Sequence, residues 1–335
     1  MNRQFKRAAL TSFRSAGVFR LMGRSSRRQK QLLILCYHGI ALKDEHLWRA
    51  ALYMSPAMFR RRLEGLRDFR ANMLPLAEAL VRLRSGTLPD RSVVLTFDDG
   101  FADFASQALP LLQQFGYPST LYLTTFHCDS NVPLFNLVTS YMLAHSGTAE
   151  VDISDLGGPP EPVPIETFDQ QSAVSRALEN WAQDQRLTTQ AKDSVARSLA
   201  GRLGIDYDAL LRSRMLQIMS SSEAAAVSRA GVDVQMHTHR HRTPRDRDLF
   251  LREIRDNRLR IVEITGREPV HFCYPSGNYA LQFLPWLKDL GVRSATTCHA
   301  GMARRDSEPL LLPRLLDWEN ATDAQFESWL GGFGL

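Results

Sequence analysis

The stretch Val93-Val94-Leu95-Thr96-Phe97-Asp98-Asp99-Gly100 constrains this chain most. An apolar run rich in β-branched residues predicts a buried strand. It stops at two adjacent carboxylates and a glycine, where a strand hands over to a loop. Neighbouring residues in a strand point to opposite faces. Asp98 and Asp99 therefore reach one site only if the backbone turns between them, and Gly100 permits that turn. Taken alone, the segment is equally a solvated turn or a helix N-cap before Phe101.

The rest of the chain repeats this strand-to-loop pattern. Leu32–Cys36 predicts a first buried strand ending in Tyr37-His38-Gly39. Ser55 as N-cap and Pro56 at the first helical position open a helix to about Phe69. A helix over about 76–84 ends at Gly86 and precedes the 92–97 strand. A helix over about 101–115 closed by Gly116 and a strand over 119–123 follow. The alternation lapses between about 126 and 220, a mostly helical stretch broken by Gly157-Gly158-Pro159-Pro160. We read it as an insertion that covers or extends a site, with Phe135, Tyr141 and Trp181 forming its own small core. Alternation resumes with helices over 222–230, 248–265 and about 280–290, and strands over 232–236, 270–273 and 292–297. An apolar run over 310–316 and an N-capped helix from Thr322 end the chain. Such alternation argues for parallel strands wrapped by helices.

Composition narrows the partners. Residues 1–30 carry nine Lys or Arg and no acid, which leaves 32 basic against 36 acidic side chains in residues 31–335. The basic balance thus belongs to the leader, and a nucleic-acid reading loses its main support. The leader spaces Phe5, Ala9, Phe13 and Ala16 helically, with Leu10 and Leu21 nearby. That pattern predicts either a basic amphipathic helix on an anionic membrane surface or a disordered basic tail. The four cysteines, Cys36, Cys128, Cys273 and Cys298, have no CxxC spacing, so reduced thiols are expected. No apolar run approaches the roughly 20 residues of a membrane span. The expected location is cytoplasmic, peripheral at the inner membrane through residues 1–30.

The second informative cluster is His237-Thr238-His239-Arg240-His241, just beyond the 232–236 strand. Carboxyl ends of parallel strands share one rim, and sites form there. His237 and His241 can converge on one metal, and a carboxylate completes a two-histidine, one-carboxylate set. Such a set with open positions suits catalytic Zn²⁺, with Fe²⁺, Co²⁺ or Ni²⁺ as alternatives.

These residues carry a resemblance. Thr96-Phe97-Asp98-Asp99-Gly100 followed by His237-Thr238-x-x-His241 resembles the first two motifs of the polysaccharide deacetylases, carbohydrate esterase family 4. Tyr274-Pro275-Ser276-Gly277 is similar to the family's third motif, and Tyr37-His38-Gly39 to an opening motif in one branch. Together they span about 32–316 in the expected order. The resemblance implies a distorted (β/α) barrel with fewer than eight parallel strands, and metal-dependent removal of N-acetyl groups from amino sugars. It implies that Asp99, His237 and His241 bind the metal and that Asp98 is the general base. That division makes physical sense: metal coordination lowers the pKa of water towards ~7, and an unligated carboxylate takes the proton. The Ser276 N–H in the Tyr274-Pro275-Ser276 turn is expected to complete an oxyanion hole, and the Thr238 hydroxyl to anchor the histidine loop.

Two departures follow. Many members begin the third motif with an arginine contacting the catalytic aspartate; here that position is Cys273, and Arg314 is the expected replacement. The late Leu-x-His that supplies the general acid in many members is also missing; the resemblance to the branch with an early Tyr-His motif implies that its first-strand histidine, here His38, takes that role, with His299 as rival. The expected substrate is an N-acetylated glycan, a polysaccharide or cell-envelope precursor. Alternatives are deformylation or deacetylation of a lipid-linked sugar, and a catalytically silent glycan-binding module.

Overall fold

The computed structural model describes residues 10–23 and 25–333. They divide into two compact units: residues 127–220, and the remainder of the chain on either side.

The larger unit is built on one curled, mixed sheet. Its strands are β1 (Gln31–Tyr37), β2 (Asn72–Met73), β3 (Ser92–Phe97), β4 (Ser119–Leu123), β5 (Asp233–Met236), β6 (His271–Cys273), β7 (Ser294–Thr296), β8 (Ala303–Arg304) and β9 (Leu315–Leu316). The order is β7-β6-β5-β4-β3-β1-β8, with β9 also on β1 and β2 on β3. Only β8 runs antiparallel to its neighbour. Thr296 bridges Leu312, and Leu315 pairs with Leu35, so the chain after β7 carries the sheet back towards β1. This is a distorted (β/α) barrel. β1 and β3 are buried at every position, as expected of parallel strands covered on both faces.

Local chemistry sets the helices around it, of which α1 (Val18–Met22) lies in the leader. In α2 (Pro56–Phe69) the Ser55 side chain accepts from the Met58 N–H, and Phe59, Leu63 and Leu66 face inward. In α3 (Leu76–Ser85), Leu76, Ala79 and Leu83 pack against Leu32, Ile34 and Val94 of β1 and β3. The helix expected over 101–115 is interrupted: a π-helical segment spans Phe104–Ala108, and regular helix, α4, begins only at Leu109 (Leu109–Phe115). Pro110 has no N–H to donate and its ring crowds the carbonyl one turn earlier, so the preceding turn widens. The run over 310–316 is likewise split, into a short 3₁₀ turn at Pro309–Leu311 and β9.

Unit 127–220 holds α5 (Phe135–His145), α6 (Phe168–Asp184), α7 (Thr189–Arg202), α8 (Tyr207–Ser213) and a short hairpin, Glu150–Val151 with Val163–Pro164. Thr167 and Gln170 cap α6 reciprocally. The larger unit resumes with α9 (Ser221–Arg229), α10 (Arg247–Thr265), α11 (Phe283–Asp289) and α12 (Asp323–Leu330).

The leader differs from a free basic segment. Phe5 and Ala9 lie outside the described residues. Leu10 and Phe19 are buried with Ala324 of α12, and Arg14 pairs with Asp323 and Glu327. Arg28 is buried and donates to the carbonyls of Leu330, Gln31 and Ser92. Phe13 and Leu21 remain exposed. Apolar burial and satisfied cations tie this segment to the domain. Among the described residues no helix is long and apolar enough to cross a membrane.

Candidate active site

Asp98 follows the last residue of β3, and its N–H still donates to Tyr37 O at 2.9 Å, continuing the ladder with β1. The chain then turns: Asp99 has φ 69° and Gly100 φ 87°. A Cβ on Gly100 would sit 2.3 Å from Leu123 Cδ1, so both space and backbone conformation demand glycine there. The left-handed Asp99 brings two consecutive carboxylates to one side of the sheet.

The histidine loop follows β5 in the same way. Thr238 (φ 62°) and His241 (φ 53°) are also left-handed. His237 Nε2 lies 3.1 Å and His241 Nε2 3.2 Å from Asp99 Oδ1. Donor atoms bound to one ion at about 2.0–2.1 Å stand at about this spacing. His237 Nδ1 lies 2.9 Å from Cys273 O; that partner fixes the ring and leaves Nε2 facing Asp99, as outer partners of metal-binding histidines do. The Thr238 hydroxyl accepts from the Arg242 N–H at 3.0 Å and so closes the loop.

Two residues that sequence reasoning missed hold this loop from α10. Asn257 Oδ1 accepts from the His237 N–H at 2.9 Å, while its Nδ2 donates to Leu123 O and Thr125 Oγ1. Thr125 Oγ1 lies 2.9 Å from His239 Nδ1. The Glu253 carboxylate accepts from the Arg240 N–H and from Arg242 Nε, both at 2.8 Å. Both residues are buried on the helix face that carries Phe250, Ile254 and Ile261. A carboxylate and an amide inside that apolar stripe were the available signal.

Asp98 is buried and gripped by Arg314, whose Nη1 and Nη2 each donate to one carboxylate oxygen at 2.7 Å. Arg314 is itself buried, with Nε donating to Thr297 O. Burial alone raises the Asp98 pKa, but the guanidinium outweighs it and holds the carboxyl well below the usual carboxylate range. The thiols of Cys273 and Cys36 add weaker contacts to Asp98 Oδ2 at 3.3 and 3.6 Å. Burial pushes both thiols far above their ordinary pKa. Burial would likewise raise Asp99, yet His241 and His237 hold it well below its ordinary value. For His241, burial opposes protonation and the Asp99 carboxylate prevails, raising its pKa.

His38 Nε2 lies 3.9 Å from Asp98 Oδ2, half-buried at the tip of β1. The chain beyond it is pinned by Asp103, which accepts from the Ile40 N–H at 2.9 Å. His299 is exposed, with Nε2 3.2 Å from the Tyr279 hydroxyl; among the described residues no contact joins it to Asp98 or Asp99. The Tyr274 hydroxyl is spent on Leu310 O, pointing the side chain into the fold. Pro275 is buried and Ser276 is left-handed at φ 55°.

Three donor groups in this region could hold a cation: Asp99–His237–His241, Cys36–His38–Asp98 and Asp98–His237–Cys273. The first fits best. The other two both need Asp98, whose two oxygens Arg314 already engages. A cation placed there would also face the guanidinium.

A family model described as polysaccharide deacetylase matches residues 85–153 and 167–295, more than half of the chain. No curated protein matches it. Among solved structures, the chain is similar to the Streptococcus pyogenes deacetylase PplD in complex with acetate, at 18% identity and TM-score 0.56 over 88% of this chain and 96% of that one. It is similar to IcaB from Ammonifex degensii at 16% identity and TM-score 0.56, over 90% and 97%. A de-N-acetylase from Aggregatibacter actinomycetemcomitans aligns at 13% identity and TM-score 0.54, over 89% and 99%. At such identities the likeness shows a common fold.

Proposed function

The chain belongs to the polysaccharide deacetylase family, and on that premise we propose that it removes N-acetyl groups from an amino sugar of a polysaccharide or cell-envelope glycan, using a divalent cation. The observation that carries this reading is the convergence of Asp99, His237 and His241 beside a carboxylate, Asp98, that Arg314 keeps ionised. Asp99, His237 and His241 would hold the cation, most simply Zn²⁺, with Fe²⁺, Co²⁺ or Ni²⁺ also suited to the donor set. Bound there, it would acidify a water and polarise the amide carbonyl.

The protein's own groups divide the proton work. Asp98 takes a proton from the attacking water. The Arg314 guanidinium keeps that carboxylate ionised, and so able to accept a proton, at neutral pH. Water oxygen bonds to the carbonyl carbon, the C–N bond breaks, and His38 delivers a proton to the leaving amine. Its place beside Asp98 favours it over His299, which faces Tyr279. The backbone at Ser276, held left-handed by the Tyr274-Pro275 turn, supplies the N–H for the oxyanion.

The test is acyl release from a panel of N-acetylated oligosaccharides and lipid-linked sugars, with acetate and formate scored separately, before and after chelation and metal add-back. Acetate release that chelation abolishes and add-back restores is the expected result. Undiminished release by Asp98→Asn, or none from any substrate by metal-loaded protein, would sink the reading.

A further inference from the structure

The opposite end of the sheet carries a feature that the chemistry above does not use. Asp98, His237 and His38 follow the carboxyl ends of their strands, whereas a groove of about 560 Å³ opens between α3 and the first residues of β6 and β7. Leu80, Val81, Val270 and Pro309 contribute apolar wall, and Val81 is 69% exposed. The polar side chains His271 and Ser294 on this wall are bonded to each other at 2.8 Å, which leaves a peptide backbone little to pair with.

Arg84, Arg293 and Arg304 line the same groove. Arg304 also lines an adjoining depression with Lys30, Arg305 and one acid, Asp306. Among the described residues none of these five cations is ion-paired; Arg84 donates to the carbonyls of Arg305 and Ser307, which leaves its charge uncompensated. An apolar trough continuous with unneutralised cations matches one molecule that joins an alkyl chain to an anion.

We propose that this groove takes an acyl chain of an anionic bilayer lipid, with the lipid phosphate seated among Lys30, Arg304 and Arg305. One buried chain holds a protein to a bilayer only marginally, and a chain together with a basic patch holds it stably. The groove and the depression supply both halves. A lipid seated there leaves the rim bearing Asp98 and His237 free, so the site is independent of the deacetylase reading.

The test is sedimentation of the full chain with vesicles of phosphatidylglycerol and phosphatidylcholine in equal parts, against phosphatidylcholine alone. The unaltered protein partitions to the anionic vesicles only. Arg304→Glu and Arg305→Glu each weaken partitioning about fivefold or more. Val81→Asp weakens it as well, without altering the melting temperature, because Val81 is already largely exposed. Val81→Asn serves as a second variant should the acid disturb folding. Equal binding to both vesicle types overturns the proposal. So does loss confined to the arginine variants, which would mean adsorption by charge alone. Partitioning unchanged in every variant would assign the binding to another surface and overturn it too.

Discussion

At the residue scale the site turns on the pairing of Asp98 with Arg314. Neither charge would be tolerated alone at this depth, and breaking such a pair from one side typically costs about 3–5 kcal/mol. Arg314→Met should therefore destabilise the protein by about that amount in denaturant titrations. It should also act on pH. With the guanidinium gone, the strongest influence opposing burial is lost and only His237 and His38 still favour the carboxylate, so the Asp98 pKa rises and the acid limb of the activity profile moves to higher pH. In the unaltered protein the carboxyl is depressed on folding. Its contribution to stability is present above the ordinary value of about 3.9 and is lost as pH falls through the folded-state value. Asp99→Asn has a different signature. It should leave the fold intact while competition with a chelator shows metal affinity falling by more than the roughly 10–100-fold that loss of an outer partner costs. Asp98-Asp99-Gly100 and the histidine pair were legible because each motif is compact in the chain. Arg314 was legible only as the answer to a gap at Cys273, since its partner lies 216 positions away.

At the element scale, α10 does more than cover the sheet. Glu253 and Asn257, one turn apart, hold the His237–Arg242 loop through its backbone and its arginines. Asn257→Leu should remove the side-chain partner of the His237 N–H and of Leu123 O, at about 1–3 kcal/mol for each group left unsatisfied, while Thr125 Oγ1 keeps His239 Nδ1. Metal affinity should fall about 10–100-fold as His237 loses its seat, whereas a helix that merely covered the sheet would change stability alone. The periodicity of α10 was plain in the sequence. The task of its two buried polar residues was not, because it is defined by the ends of β4 and β5, which sequence spacing does not bring together. The π-helical segment before Pro110 is the converse: a local steric cause that a helical reading of 101–115 passed over. Caps at Ser55 and Thr322 were legible because capping chemistry is contained in four residues.

At the scale of the whole molecule, the leader joins the domain through α12, which the sequence concealed: a run of cations looks the same free or docked. Phe19→Ser should release it. Trypsin would then cleave at Arg14 faster than in the unaltered protein, with unfolding of the barrel unchanged; equal cleavage rates would mean that Leu10, Arg14 and Arg28 hold the segment without Phe19. The two ends of the sheet also differ in kind. One gathers carboxylates and imidazoles, and the other gathers arginines around an apolar trough. Everything proposed for the first end requires one ion at one place. The X-ray absorption spectrum of zinc-loaded protein at the Zn edge tests that most directly. The expected spectrum has only nitrogen and oxygen neighbours near 2.0–2.1 Å, with the outer-shell pattern of two imidazoles. A sulfur neighbour near 2.3 Å would put the ion on Cys36 or Cys273 beside Asp98, and would contradict the assignment of the metal to Asp99, His237 and His241.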